Sequence, residues 1–199
     1  MTYRQAIESY IEREARPVDK FGHQPRLYAL TRKIAGGLTY DDDIVHAAVW
    51  LHDLGVFVGH RPEDPEQLAR WDNVAYAMEQ TPAVLAACGF PGGKVAAVVE
   101  AIRTHQPAGQ PTSIEGAIVR DADILEQLGA VGILRQVCKI GRDTRFPAFT
   151  QAVQALRKAL QTLPTRIGLE SARALAAPRI AALRHFLDAV DQETAAGLY

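Results

Sequence analysis

The sequence predicts an all-α fold, a compact helical bundle. Three observations carry this. The strong helix formers Ala, Leu, Arg, Glu and Gln are abundant along the 199 residues. No alternating strand ladder closed by hairpin turns is found. Prolines, glycines and capping side chains mark where helical stretches start and stop.

The first helix is expected over residues 2–15, ended by Arg16-Pro17. Residues 18–24 read as a polar link with His23 just before Pro25, and a second helix follows over roughly 25–36, stopped by Gly36-Gly37. Asp41, Asp42 and Asp43 supply an N-cap and first-turn negative charge, both favourable at a helix start. The helix they open runs through IVHAAVWLHDL to Gly55 and is apolar nearly all round, which predicts the central buried helix. Residues 56–65 read as a loop and 66–80 as a helix. Thr81-Pro82 then resembles an N-cap and first-turn proline opening a separate short helix that closes at Gly89. Pro91-Gly92-Gly93 makes a turn into VAAVVEAIRTH, and QPAGQP is a loop. Thr112 and Glu115 have capping-box spacing for the helix containing RDADILEQL, whose end Gly129 and Gly132 loosen. Two or three more helices are expected over 133–195, with breaks near Pro147, Pro164 and Pro178.

Composition excludes several classes. Twenty-two basic against 23 acidic residues leave a formal charge of −1, without the basic surplus of a dedicated nucleic-acid binder. No apolar run approaches the ~18 residues of a membrane span, and the charged N-terminal stretch does not read as a signal peptide. Cys88 and Cys138 lie in apolar segments without a CxxC pattern, so they read as buried thiols of a cytoplasmic protein. A single domain over 1–199 is expected.

The chemistry-bearing side chains are His23, the pair His52-Asp53, His105, and Asp121-Ala122-Asp123. A lone His-Asp pair is a weak motif. Here it ends the most apolar helix, where a buried imidazole and carboxylate need a partner, and a divalent cation supplies one. The order His…His-Asp…Asp, with AAVWLHDLG around the pair and RDADILEQLGAVGILR later, resembles the HD-domain metal-dependent phosphohydrolases, in particular the small bacterial HD hydrolases. The resemblance covers about 20–140, implying an HD core there with a C-terminal helical extension over about 145–195.

The resemblance implies four metal ligands: His23, His52, Asp53 and one Asp of the DAD segment. Ala122-Asp123-Ile124-Leu125 matches the family string Ala-Asp-Arg-Leu with Ile for Arg, favouring Asp123. Asp121 shares a helix face with Ile118 and Leu125 and so points to the core; it is the alternative ligand, or a buried carboxylate beside the site. Two imidazoles and two carboxylates suit one Mn²⁺, Fe²⁺, Co²⁺, Ni²⁺ or Zn²⁺ ion, or Mg²⁺, and leave positions for water and a phosphate oxygen. A second ion would have to draw on His60 and Asp72. On the same resemblance Asp53 is expected also to orient the attacking water, and His105 is assigned phosphate contact or proton delivery. Arg135, in the position of the family's GAxGIxR arginine, is expected to pair with substrate phosphate or with a carboxylate such as Asp121, and Gln127 to line the cleft for substrate.

The expected activity is hydrolysis of a phosphoester or phosphoanhydride bond in a small phosphorylated metabolite, with a nucleotide as the favoured substrate class. The alternatives are an HD-fold metalloenzyme of hydratase or oxygenase type acting on a non-phosphate molecule, and a non-catalytic metal-binding module. No membrane partner is expected; the C-terminal helices offer a homodimer surface or a substrate lid. The remaining histidines read as packed or surface (His46), exposed in a loop (His60) and structural (His185), and Trp50 and Trp71 as core or groove wall.

Overall fold

A computed structural model describes residues 1–17, 21–140 and 146–194. It is all-α: among the described residues there is no strand, only the isolated bridges Val58–Arg61 and Ile140–Phe146. None of the described helices is long and apolar enough to cross a membrane. The chain forms two compact units, Met1–Arg120 and Asp121–Tyr199.

In the first unit, α1 (Tyr3–Glu14) starts at a capping box, in which the Thr2 hydroxyl accepts from Gln5 N and the Gln5 side chain accepts from Thr2 N. It buries Ile7 and Ile11 completely. Helix α2 (His23–Ile34) begins two residues earlier than expected, so His23 is its first residue; positions 18–20 of the expected link lie outside the described residues. Helix α3 (Asp42–Leu51) is the centre of this unit. All eight residues from Ile44 to Leu51 are buried, and α3 packs on α1, α2 and α6 (Val95–Arg103). The Asp41 carboxylate caps it by accepting from Asp43 N at 3.0 Å.

The aspartates of that cap are held from two sides. Lys94 Nζ bonds Asp41 Oδ1 at 3.0 Å and Asp43 Oδ2 at 2.8 Å, and Arg4 Nη2 bonds Asp43 Oδ1 at 2.6 Å. Burial alone would push the Asp43 carboxyl up; hydrogen bonds from Lys94, Arg4 and Tyr3 overcome it and hold it well below the carboxylate range.

After α3 come a 3-10 turn (Leu54–Val56), the short α4 (Pro65–Ala69) and α5 (Asn73–Ala87). The expected helix over 66–80 is therefore interrupted, and the expected new helix at Thr81-Pro82 does not exist. Asp72 is the stronger start signal, because its carboxylate accepts from both Val74 N and Ala75 N. Pro82 sits inside α5, where the neighbouring Thr81 hydroxyl donates to the Ala77 carbonyl at 2.6 Å. Helix α7 (Ile114–Glu126) lacks the expected capping box as well. Ser113 accepts from Gly116 N, while Thr112 donates to Glu100 and Glu115 accepts from Asp41 N. Distant partners have taken both box residues.

The second unit holds the end of α7, then α8 (Gly129–Val137), α9 (Phe149–Thr162) and α10 (Glu170–Glu193). Gly129, at φ +73°, ends one helical direction and opens the next; an added Cβ there would lie 3.0 Å from Arg179 Cβ. Breaks occur near Pro147 and Pro164 as expected, although part of that stretch, 141–145, lies outside the described residues. Pro178 does not break α10. The buried stripe Ala172, Ala176, Leu183 and Leu187 runs through it on one face and holds the helix together. Neither cysteine is buried as expected: Cys88 is half-buried at the end of α5 and Cys138 is exposed at the end of α8, both as free thiols.

Candidate metal centre

Three of the sequence-predicted ligands meet in the first unit. His23 opens α2, His52 caps the C-terminus of α3, and Asp53 follows it at the start of the 3-10 turn. His23 Nε2 and His52 Nε2 are 3.3 Å apart. Asp53 Oδ2 lies 3.6 Å from the first and 3.5 Å from the second. The group is His23, His52 and Asp53, the only cluster of this type among the described residues.

The local sequence explains the convergence. Helix α3 is buried over its whole apolar length, so its last turn delivers His52 into the interior, with a side chain 1% exposed. His52 Nδ1 lies 2.8 Å from the Val49 carbonyl. A carbonyl can only accept, so Nδ1 carries the proton and Nε2 presents its lone pair. That lone pair faces a second imidazole nitrogen and a carboxylate oxygen. These three donor atoms form a group that could hold a metal ion.

The spacing fits a metal. Donor atoms bonded to one first-row divalent ion at ~2.0–2.2 Å stand about 3 to 3.5 Å from one another. Two imidazole nitrogens and a carboxylate oxygen are ordinary ligands for Mn²⁺, Fe²⁺, Co²⁺, Ni²⁺ or Zn²⁺. The Val49 carbonyl behind His52 is the usual outer partner that fixes a ligand histidine's tautomer.

His105 lies beside this group. It follows α6 and is 4% exposed; its ring centroid is 4.9 Å from that of His52, and its Nδ1 is 2.6 Å from the Ile102 carbonyl. It therefore repeats the His52 arrangement: a carbonyl three residues back fixes Nδ1–H and leaves Nε2 as the acceptor.

The other candidates belong to the second unit. The fully buried Asp121 accepts from Gly168 N at 3.0 Å and Leu169 N at 2.7 Å, on the N-terminal side of α10. Its carboxylate thus serves as a distant helix cap for Leu169, whose own side chain caps nothing. Asp123 is 8% exposed, and Gln127 Nε2 donates to its Oδ2 at 3.0 Å. Arg135 Nη1 is 3.6 Å from the buried carboxylate of Glu126. The partners expected for Arg135 are substrate phosphate or a carboxylate such as Asp121; the carboxylate beside it is that of Glu126.

His60 is not an exposed loop residue. Its Nδ1 is 2.9 Å from the Tyr76 hydroxyl and its Nε2 3.0 Å from Glu14 Oε2, linking the loop to α5 and α1. Asp72 is the cap of α5. His46 is packed, buried against Tyr28 and Trp50 with Nε2 2.9 Å from Glu8 Oε1, and His185 is exposed on α10. Trp50 is a core residue, 5% exposed, and Trp71 is half-buried with its indole donating to the Gly55 carbonyl.

A family model described as HD domain matches residues 21–128. No curated protein matches the chain. Among solved structures, the Bacillus subtilis protein YpgQ in complex with ADP is 24% identical, with 96% of this chain and 94% of that one covered at a TM-score of 0.72. An HD-superfamily hydrolase from Bacillus thuringiensis is 20% identical, covering 98% and 97% at 0.70. A predicted HD-superfamily hydrolase from an uncultured Thermotogales bacterium is 24% identical, covering 96% and 93% at 0.66.

Proposed function

Because the chain belongs to the HD-domain family, we propose that it is a metal-dependent hydrolase of phosphoester or phosphoanhydride bonds, acting on a nucleotide or similar small phosphorylated metabolite. The observation that carries this reading is the triangle of His23 Nε2, His52 Nε2 and Asp53 Oδ2, with edges of 3.3, 3.6 and 3.5 Å. Asp123 is assigned as the fourth ligand on the family pattern. Its carboxylate is oriented by Gln127, whereas that of Asp121 is engaged by two backbone N–H groups. A divalent ion bound to this set supplies Lewis-acid polarisation of the phosphoryl group and acidifies water.

The chain's own residues do the rest. Asp53 has the most exposed side chain of the three, at 22%, so its carboxylate can also accept a hydrogen bond from the attacking water and aim it. His105, with Nδ1–H tied to the Ile102 carbonyl, offers Nε2 as acceptor to that water or, once protonated, as donor to the leaving oxygen. Arg135 and Gln127 are assigned to substrate phosphate. A guanidinium suits that task because its forked N–H groups match a phosphate's oxygens. The nucleotide preference draws on the ADP held by the Bacillus subtilis relative and on the family resemblance.

The test is a turnover screen of nucleoside di- and triphosphates and generic phosphoesters, with Mn²⁺, Co²⁺, Ni²⁺ or Mg²⁺ added. Release of phosphate or pyrophosphate that disappears in Asp53→Ala is the expected result. A metal-loaded protein inert toward every phosphate compound would overturn the phosphohydrolase reading.

A further inference from the structure

The side chain most exposed in the triangle is also the one whose backbone is held most deliberately. Asp53 begins the 3-10 turn Leu54–Val56, and its carbonyl accepts from Val56 N at 2.9 Å. Two residues on, the buried Gly55 meets the start of α5. A Cβ added at Gly55 would stand 2.5 Å from the Asn73 carbonyl oxygen and 2.8 Å from Asn73 Cα. These are backbone atoms, which cannot swing aside. Only a glycine lets the turn lie against α5 at this distance. At the same point the Trp71 indole Nε1–H donates to the Gly55 carbonyl at 2.8 Å. Trp71 in turn packs on Tyr76, with ring centroids 5.2 Å apart, and the Tyr76 hydroxyl meets His60.

Burial and its bond to Val49 hold His52; the turn that carries Asp53 is anchored by the buried Leu54 and Phe57, and the Trp71 indole adds a directional bond at Gly55. We infer that Trp71 is a positioning residue for the metal centre: its indole N–H fixes the Gly55 carbonyl, and through that turn sets where the Asp53 carboxylate stands relative to His23 and His52. The inference rests on the proposed metal reading and adds to it a residue outside the ligand set. Groups that orient a ligand in this way typically change metal affinity ~10–100-fold when removed.

Trp71→Phe keeps the aromatic contact with Tyr76 and deletes the donor. Co²⁺ titration of the wild type, Trp71→Phe and Tyr76→Phe, followed by visible absorption, reads the effect directly. The expected result is about a tenfold weaker affinity for Trp71→Phe, and for Tyr76→Phe a value within about twofold of wild type. A purely structural tryptophan would lower the melting temperature of the metal-free protein and leave the Co²⁺ affinity of the folded protein alone. Wild-type affinity in folded Trp71→Phe would overturn the inference while leaving the metal reading intact. A wild type that takes up no Co²⁺ would overturn both. Should Trp71→Phe lose its helical circular dichroism, the wild type gives a second test through the NMR signals of its two indole N–H groups. Because coupling is reciprocal, Zn²⁺ should slow solvent exchange of the Trp71 indole proton. An unchanged exchange rate at saturating Zn²⁺ would contradict the positioning role.

Discussion

Replacing Asp121 by Asn should destabilise the fold and spare the metal, whereas replacing Asp123 should do the reverse. The Asp121 carboxylate is fully buried and accepts from Gly168 N at 3.0 Å and from Leu169 N at 2.7 Å. A hydrogen bond to a charged group contributes about 1.5–3 kcal/mol and a neutral one about 1 kcal/mol. Both N–H groups reach Oδ2, so an Asn carbonyl oxygen in that place keeps both bonds without the charge, while its amide nitrogen faces Gly168 N where Oδ1 stood at 3.2 Å. Gly168 is exposed, and water can partly replace its bond. The net loss is about 2 kcal/mol, or roughly 4–8 °C in melting temperature for a chain of this size. Urea or thermal unfolding of the metal-free variants measures it, and elemental analysis of the purified proteins measures the ion. Asp123→Asn should hold at least about tenfold less metal while melting close to wild type. An Asp121→Asn protein that melts with the wild type but loses its ion would make Asp121 the ligand and the cap on α10 incidental.

Two further perturbations test the architecture around the centre. The Asp43 carboxyl is held well below its ordinary value of about 3.9, so the unfolded chain binds more protons in acid and the stabilisation is lost as pH falls below about 4. Lys94→Met removes one of the donors responsible; its deficit in urea midpoint against wild type at pH 7 should shrink steadily below about pH 4, and a gap that stays constant down to pH 3 would contradict the assignment. Gly55→Ala forces a Cβ to within 2.5 Å of the Asn73 carbonyl oxygen and should cost about 1–3 kcal/mol in denaturant unfolding, whereas a neutral result would mean the turn and α5 separate freely.

What could be read in advance was whatever depended on neighbours in sequence. Helix α3 announced itself by an aspartate cap and an unbroken apolar run, and its burial follows from those residues alone. The order of His23, His52 and Asp53 suggested that the three converge, and their donor atoms lie within 4.8 Å of one another. Misreadings arose where a distant partner decided the matter. Thr112 and Glu115 have the spacing of a capping box, yet Glu100 and the Asp41 backbone claim them. Pro82 looked like a helix start because its own neighbourhood is all a local rule can weigh; the two bonds that the Asp72 carboxylate accepts had already opened the helix ten residues earlier. His60 sits among loop residues, and only its contacts with Glu14 and Tyr76 make it a tie between helices. The Trp71–Gly55 bond left no local signal, since a half-buried indole needs an acceptor but does not specify which one.

X-ray absorption at the metal edge of the Co²⁺-loaded wild type addresses the core of this account most directly. It should reveal two imidazole ligands, the remainder oxygen, with part of that oxygen exchangeable for added phosphate. A spectrum without imidazole scattering, or an ion fully enclosed by protein groups and indifferent to phosphate, would contradict it.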